Sequence, residues 1–257
     1  KNFPPGMDEL LDQMDARGVT FAPASGRQVW TLIDMFPGRP GMTVIGENGG
    51  IVMRDGVEVS SSPLDAPTMR EAVRLVREAT SGPDGIDGGL VMCGKQFAYV
   101  ERTDDRFVDG VMPYYHRTKR VDDQIAIIDA IEAGEIDDAI VKLAVYVIGP
   151  VQALAEATLA NFADTHQYAI SGANWADLQI RGVDKGSAVR DLQRFLGVTR
   201  EQTAVFGDAG NDLSMMSEGD LSFAMANASR DVVEAARFVA PSNNEAGVAQ
   251  VLRALLA

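Results

Sequence analysis

Thr203 to Phe206 is a short apolar run that stops at a glycine. Gly207-Asp208-Ala209-Gly210-Asn211-Asp212 follows, and an apolar helical pattern resumes at Leu213 to Met216. Strand, tight loop and helix start in that order belong to an open α/β sheet, where ligands bind beyond the carboxyl ends of the strands. Gly207 and Gly210 permit backbone conformations closed to other residues. Asp208 and Asp212 would sit together there as hard oxygen donors suited to Mg2+. The competing reading is an acidic loop that only caps the following helix, since Asp and Asn favour such positions.

The chain before this point divides into two patterns. An apolar stripe of Met7, Leu10, Leu11 and Met14 predicts a helix over 6–17, ended by Gly18. A strand is expected at Val19 to Pro23, a helix at Gln28 to Met35 and a strand at Met42 to Ile45. Asp55-Gly56 between two apolar runs predicts a hairpin. The middle alternates short strands with helices: helices at 67–79, 124–133 and 151–162, and strands at 90–93, 97–100, 139–148 and 167–171. The last third returns to the first pattern, with a strand at Asp177 to Ile180, a helix at Lys185 to Leu196 closed by Gly197, and strands at 222–224 and 238–239 between helices. The expected organisation is a doubly wound α/β core, residues 1–60 and 179–257, with an α+β domain inserted over 61–178.

Two further strand-to-helix junctions carry chemistry. Ser25-Gly26 offers a hydroxyl and free amides at a helix start, either an anion site or a plain serine cap. Lys185 opens a helix after Gly182-Val183-Asp184, where a cation is unfavourable against the helix dipole. It is either the partner of a bound anion or a solvated surface lysine. Together, a hydroxyl with amides, a cation and an acid pair equip a site to hold a phosphoryl group and neutralise its charge in transfer.

Composition narrows the partners. The net charge of −14 argues against nucleic acid, which needs a basic footprint. No apolar stretch reaches the roughly 18 residues of a membrane span, so no membrane partner is expected. The lone Cys93 excludes an intrachain disulfide framework and fits a cytoplasmic protein, expected as a monomer or weak homo-oligomer. Cys93 itself reads as a buried small hydrophobe. His116 and His166 stand without a partner pattern. The basic run Arg117-Thr118-Lys119-Arg120 reads as a solvated loop, with attraction of an anionic substrate as the alternative.

Ala24-Ser25-Gly26-Arg27, Gly182-Val183-Asp184-Lys185-Gly186 and Gly207-Asp208-Ala209-Gly210-Asn211-Asp212 resemble motifs two, three and four of the haloacid dehalogenase superfamily of phosphatases. Gly46-Glu47-Asn48-Gly49-Gly50 and the ensuing hairpin resemble its Cof-type branch, which has a large α/β cap between motifs two and three. The resemblance covers essentially the whole chain. It implies a Rossmannoid core with an α+β cap, Mg2+ as cofactor and a small phosphorylated metabolite as substrate. It also implies roles for residues. Ser25, Gly26, Lys185 and Asn211 would bind phosphate, Lys185 and Asp208 would serve catalysis, and Asp208 and Asp212 would hold the metal. Arg27 and Asn48 are candidates to face the substrate.

One departure is large. The family's first motif, Asp-x-Asp-Gly-Thr, supplies the nucleophile and the general acid/base, and no such motif occurs in these 257 residues. The expectation is that it lies upstream of Lys1, and that the core carries a strand from there or a gap. The chain as it stands would then be inert as a nucleophilic phosphatase. A phosphohexomutase-like phosphotransferase is an alternative, against which the sparse basic residues of 61–178 weigh. A non-catalytic phosphometabolite-binding protein is another.

Overall fold

The computed structural model describes residues 3–39 and 41–257. The first helix, α1 (Met7–Ala16), buries the expected stripe of Met7, Leu10, Leu11 and Met14. The segment expected as a strand over 19–23 is extended but pairs only at its end. Ile45 N–H donates to Pro23 O, Ser25 N–H donates to Ile45 O, and Ala24 and Ile45 form an isolated parallel bridge. Next come α2 (Val29–Asp34) and β1 (Val44–Gly46), then the hairpin of β2 (Ile51–Arg54) and β3 (Val57–Ser61). Asp55 and Gly56 both have positive φ, 52° and 74°, as a two-residue primed turn requires.

The middle block begins with α3 (Ala66–Thr80), whose first turn is capped by the Asp65 carboxylate accepting from Thr68 N–H. It continues through β4 (Gly88–Gly94), β5 (Ala98–Val100), α4 (Asp105–Val111), β6 (Thr118–Arg120), α5 (Gln124–Glu132), β7 (Ile140–Val147), α6 (Gln152–Ala157), β8 (His166–Ile170) and β9 (Trp175–Ile180). The strands form one six-stranded sheet in the order β6-β5-β4-β7-β9-β8. Period-two alternation divides the packing. Leu90 and Met92 of β4 face a cluster with α3, α5 and α6, while Val91 and Cys93 face Phe107, Val111 and Tyr115 on the other side. Burial on both faces explains why these strands read as continuous apolar runs.

Three details differ from expectation. Asp177–Ile180 was expected as a strand of the core, but it is part of β9, which pairs antiparallel with β7 and β8, so the last α/β block starts after Ile180. Thr118–Arg120 is an edge strand parallel to β5 rather than a solvated loop. Around it the Arg117 guanidinium lies 3.5 Å from the Trp30 ring centroid and the Lys119 ammonium 3.7 Å from that of Phe97. The helix expected over 151–162 breaks at Thr158, whose φ/ψ of −122°/−77° separates α6 from a 3-10 turn at Leu159–Phe162.

The last block holds α7 (Lys185–Leu196), β10 (Ala204–Gly207), a 3-10 segment at Gly210–Ser217, β11 (Leu221–Met225), α8 (Arg230–Ala235), β12 (Phe238–Ala240) and α9 (Gly247–Leu256). Strands β10-β11-β12 are parallel. Sheet β1-β2-β3 is hydrogen-bonded separately. Among the described residues, β10 pairs with β11 and has no strand on its other edge. The first and last blocks share cores, since Val29, Val44 and Ile51 cluster with Ala249 and Leu252. Ile45 and Val52 cluster with Ala188, Leu192 and Met215.

Candidate active site

The site forms where the 208–212 loop, the start of α7 and the turn at Glu47–Gly49 meet. Helix α7 begins there because Asp184 caps it. Its carboxylate accepts from Ser187 N–H at 2.8 Å, and Ser187 Oγ accepts from Asp184 N–H at 3.0 Å. This fixes Lys185 in the first turn, 5% exposed, with its ammonium donating to Asp212 Oδ1 at 2.6 Å. The other carboxylate oxygen of Asp212 accepts from Asp208 N–H at 3.0 Å and Ala209 N–H at 3.1 Å. Burial alone would push the Asp212 carboxyl up. The Lys185 ammonium and the two amides outweigh it and hold the group below the ordinary aspartate range.

Glycines make this approach possible. A Cβ on Gly207 would lie 2.6 Å from Asp212 Cβ, and one on Gly186 would lie 2.4 Å from Ser214 O. Gly49, at φ 97°, leaves room for Asp184 O, which a Cβ would meet at 2.1 Å. These positions therefore serve side-chain placement as much as chain reversal.

The two carboxylates carry different hydrogen-bond loads. Asp212 is committed on both oxygens to Lys185 and the loop amides. Asp208 Oδ2 accepts from Asn243 Nδ2 at 2.7 Å, and its Oδ1 has no protein partner among the described residues. No group of three or more metal-ligating side chains occurs among the described residues. The expected Asp208 and Asp212 pair thus shares a loop, but only Asp208 offers a free oxygen. Mg2+ usually keeps several waters and takes one or two carboxylates plus substrate phosphate, and Asp208 suits one such position.

From this loop a polar relay crosses to the six-stranded sheet. Asn211 Nδ2 donates to Asn48 Oδ1 at 3.1 Å, and Asn48 Nδ2 donates to Asp177 Oδ2 at 3.0 Å. Behind it lies a fully buried cluster. The Lys142 ammonium, on β7, donates to Gly26 O at 2.7 Å and stands 2.8 Å from Glu47 Oε2 and 3.8 Å from Asp177 Oδ1. Burial works against the Lys142 charge, but Asp177 and Glu47 hold it well above the ordinary lysine range. Glu47 receives no well-directed hydrogen bond on either oxygen from the described residues. Burial pushes its carboxyl up by more than Lys142 recovers. Burial likewise raises the Cys93 thiol and the Tyr115 hydroxyl, which are hydrogen-bonded to each other at 3.3 Å.

Ser25, Gly26, Arg27, Asn48 and Asn211 share the lining of one cavity, and Asn48, Lys185 and Asn211 that of its neighbour. Ser25, Gly26, Arg27, Asn48, Lys185 and Asn211 therefore line two adjoining cavities, whereas Asp208 and Asp212 line neither. Ser25 Oγ is at present turned to its own loop, accepting from Arg27 N–H at 3.2 Å. Arg27 is turned toward the sheet unit, donating to Pro113 O at 2.9 Å.

Comparison with known proteins identifies the family and the fold. The sequence profile of haloacid dehalogenase-like hydrolases matches residues 1–252. The chain belongs to this hydrolase family. It is 34% identical over 251 residues to the 5-amino-6-(5-phospho-D-ribitylamino)uracil phosphatase of Escherichia coli strain K12, covering 95% of this chain and 86% of that protein. Among solved structures, a protein from Eubacterium rectale superposes with a TM-score of 0.81 at 22% identity, covering 98% of this chain and 91% of that one. A subclass IIB sugar phosphatase of the family superposes with a TM-score of 0.75 at 18% identity, covering 99% and 92%. The α/β family fold inferred from the motifs is the fold observed, and the chain is an enzyme of the hydrolase class.

Three residues near the candidate site, Lys142, Asp177 and Asn243, escaped the sequence reading, and Glu47 was named only as part of its glycine-rich segment. Lys142 carried the one available signal, a lysine inside the otherwise apolar run Ile140–Val147. Cys93 is buried as expected. His116 pairs with Asp34 on the surface at 2.8 Å, away from the cleft. No helix among the described residues is long and apolar enough to cross a membrane.

Proposed function

We propose that this protein removes phosphate from small phosphorylated metabolites, sugar or polyol phosphates among them, with Mg2+ and through an aspartyl-phosphate intermediate. The observation that carries the reading is the buried Lys185–Asp212 pair, which holds a cation at a helix start beside Asn48 and Asn211 in one cleft. Lys185 and the Ser25-Gly26 loop would take the phosphoryl oxygens, and Asn211 would orient them. Asp208 would hold Mg2+ through its free oxygen, and the ion would supply neutralisation of charge on the transferring group. Asp212 acts at one remove, fixing Lys185 and the loop amides. The 257 residues hold no Asp-x-Asp motif to supply the nucleophilic aspartate, and the free edge of β10 is where a strand carrying one could add. The six-stranded unit, close to residues 61–178 with its boundary moved to Ile180, would act as a cap that excludes water during transfer and opens for release.

The substrate of the Escherichia coli relative is the first compound to try. The test is phosphate release by the full-length native protein with Mg2+ and with chelator. Chelation should abolish turnover, and Asp208→Asn should lower kcat/KM by about 10²–10³-fold, the usual scale for one charge-stabilising group. Turnover that persists in chelator would remove the metal from the reading. Failure to release phosphate from that substrate and from a panel of sugar and polyol phosphates would remove the phosphatase itself.

A further inference from the structure

The cavity holding Ser25 and Gly26 measures about 460 Å3 and adjoins the Lys185 cleft of about 800 Å3. Asn48, Asp177 and Asn211 line both. The smaller cavity has a third kind of wall, made of Tyr114, Tyr146 and Trp175. Trp175 is the centre of this group, with ring centroids 4.8 Å from Tyr146, 5.3 Å from Tyr114 and 5.8 Å from Tyr115. Tyr115 is buried core, but Tyr114 is 39% exposed and Trp175 is half-buried. The Arg27 guanidinium lies 5.1 Å from the Tyr114 centroid, so the same residue joins the Ser25-Gly26 loop to the aromatic wall.

We propose that Trp175 and Tyr114 form a stacking wall for a planar ring on the leaving group, so that the preferred substrates are phosphate esters of a sugar or polyol bearing a heteroaromatic ring. Aromatic faces bind planar rings by offset stacking, and an adjacent guanidinium strengthens such a face. Between the wall and the phosphate-binding residues stand Asn48 and Asp177. Asp177, as a carboxylate, accepts only, which matches hydroxyl donors of a polyol chain. The three kinds of lining thus fit the three parts of one ligand. The phosphate part of this assignment rests on the phosphatase reading, and the ring-binding wall does not.

The test uses two substrates that differ only in the ring, 5-amino-6-(5-phospho-D-ribitylamino)uracil and D-ribitol 5-phosphate, with the full-length native protein. The ring-bearing compound should be favoured in kcat/KM by about tenfold or more, the scale of one base stacked on an aromatic side chain. Trp175→Leu should bring the ratio of the two kcat/KM values close to one, chiefly through KM. Trp175→Phe should retain most of the preference, and Tyr114→Ala, at an exposed position, should reduce it without a folding defect. Equal kcat/KM values in the native protein, or a preference that survives Trp175→Leu, would overturn the assignment. If neither compound is hydrolysed, the phosphatase reading passes to the wider panel of sugar and polyol phosphates, and the wall is tested by binding. In a Trp30→Phe background, the dephosphorylated ring compound should quench the fluorescence of Trp175, and absence of quenching would overturn the wall.

Discussion

Replacing Lys142 by methionine should destabilise the protein far more than a surface lysine would. The side chain is 1% exposed, and its ammonium serves Gly26 O, Glu47 and Asp177 at 2.7, 2.8 and 3.8 Å. Methionine keeps the length and packing but leaves two carboxylates without their cation. Removing one partner from a buried ionic group costs about 3–5 kcal/mol. For a domain of this size that lowers Tm by about 6–20 °C, at roughly 2–4 °C per kcal/mol. The penalty should depend on pH. The Glu47 carboxyl is already raised above its ordinary value of 4.5. A raised group contributes stability below its unfolded value and loses it as pH rises through the folded value. Without Lys142 the carboxyl favours the proton further, so the difference between parent and variant should shrink as pH falls. A second substitution, Glu47→Gln, should recover much of the loss, because it removes the surplus charge that methionine strands. Urea unfolding of parent, both single variants and the double variant completes the cycle. A loss below about 1 kcal/mol at neutral pH, or a double variant no better than K142M, would refute the idea that Lys142 neutralises this cluster.

Other substitutions probe the site's scaffold. Gly49→Ala combines a φ of 97° with a Cβ 2.1 Å from Asp184 O. It should cost about 2–6 kcal/mol from backbone strain and overpacking together, read as a lowered melting temperature; a shift within experimental error would contradict the close approach. Gly186→Ala, whose Cβ would lie 2.4 Å from Ser214 O, should cost about 1–3 kcal/mol and weaken inorganic phosphate binding measured by calorimetry. Asp212→Asn should flatten the acid limb of the stability profile. The Asp212 carboxyl is held below 3.8 in the fold, so its contribution is present above that value and lost as pH falls through the lowered one. A parent-minus-variant difference that stays constant as pH is taken below 3.8 would show that the ion pair adds no net stability.

What the sequence made legible was local. The Asp55-Gly56 hairpin, the helix start at Lys185, the Gly197 stop and the strand-loop-helix at 203–216 each follow from chemistry within a few residues, and each is present. Asp177–Ile180 was assigned to the wrong block for the opposite reason. Its composition suits either sheet, and only its pairing with β7 and β8 decides. The same limit hid the buried cluster. Lys142 faces Cys93 across the β4–β7 ladder and reaches a glycine carbonyl more than a hundred positions away, so nothing near it in sequence signals the destination. Asp208 and Asp212 show the reverse case. Their spacing correctly put them on one loop, but spacing is blind to what each oxygen accepts. With Asp212 spent on Lys185 and two amides, the loop divides its labour: one carboxylate organises the cation, and the other keeps an oxygen free. Such a division suits a site where a phosphoryl group must meet positive charge from two directions without the acids repelling it. Under the proposed function, Asp212 would therefore be as necessary to phosphate binding as Lys185 itself.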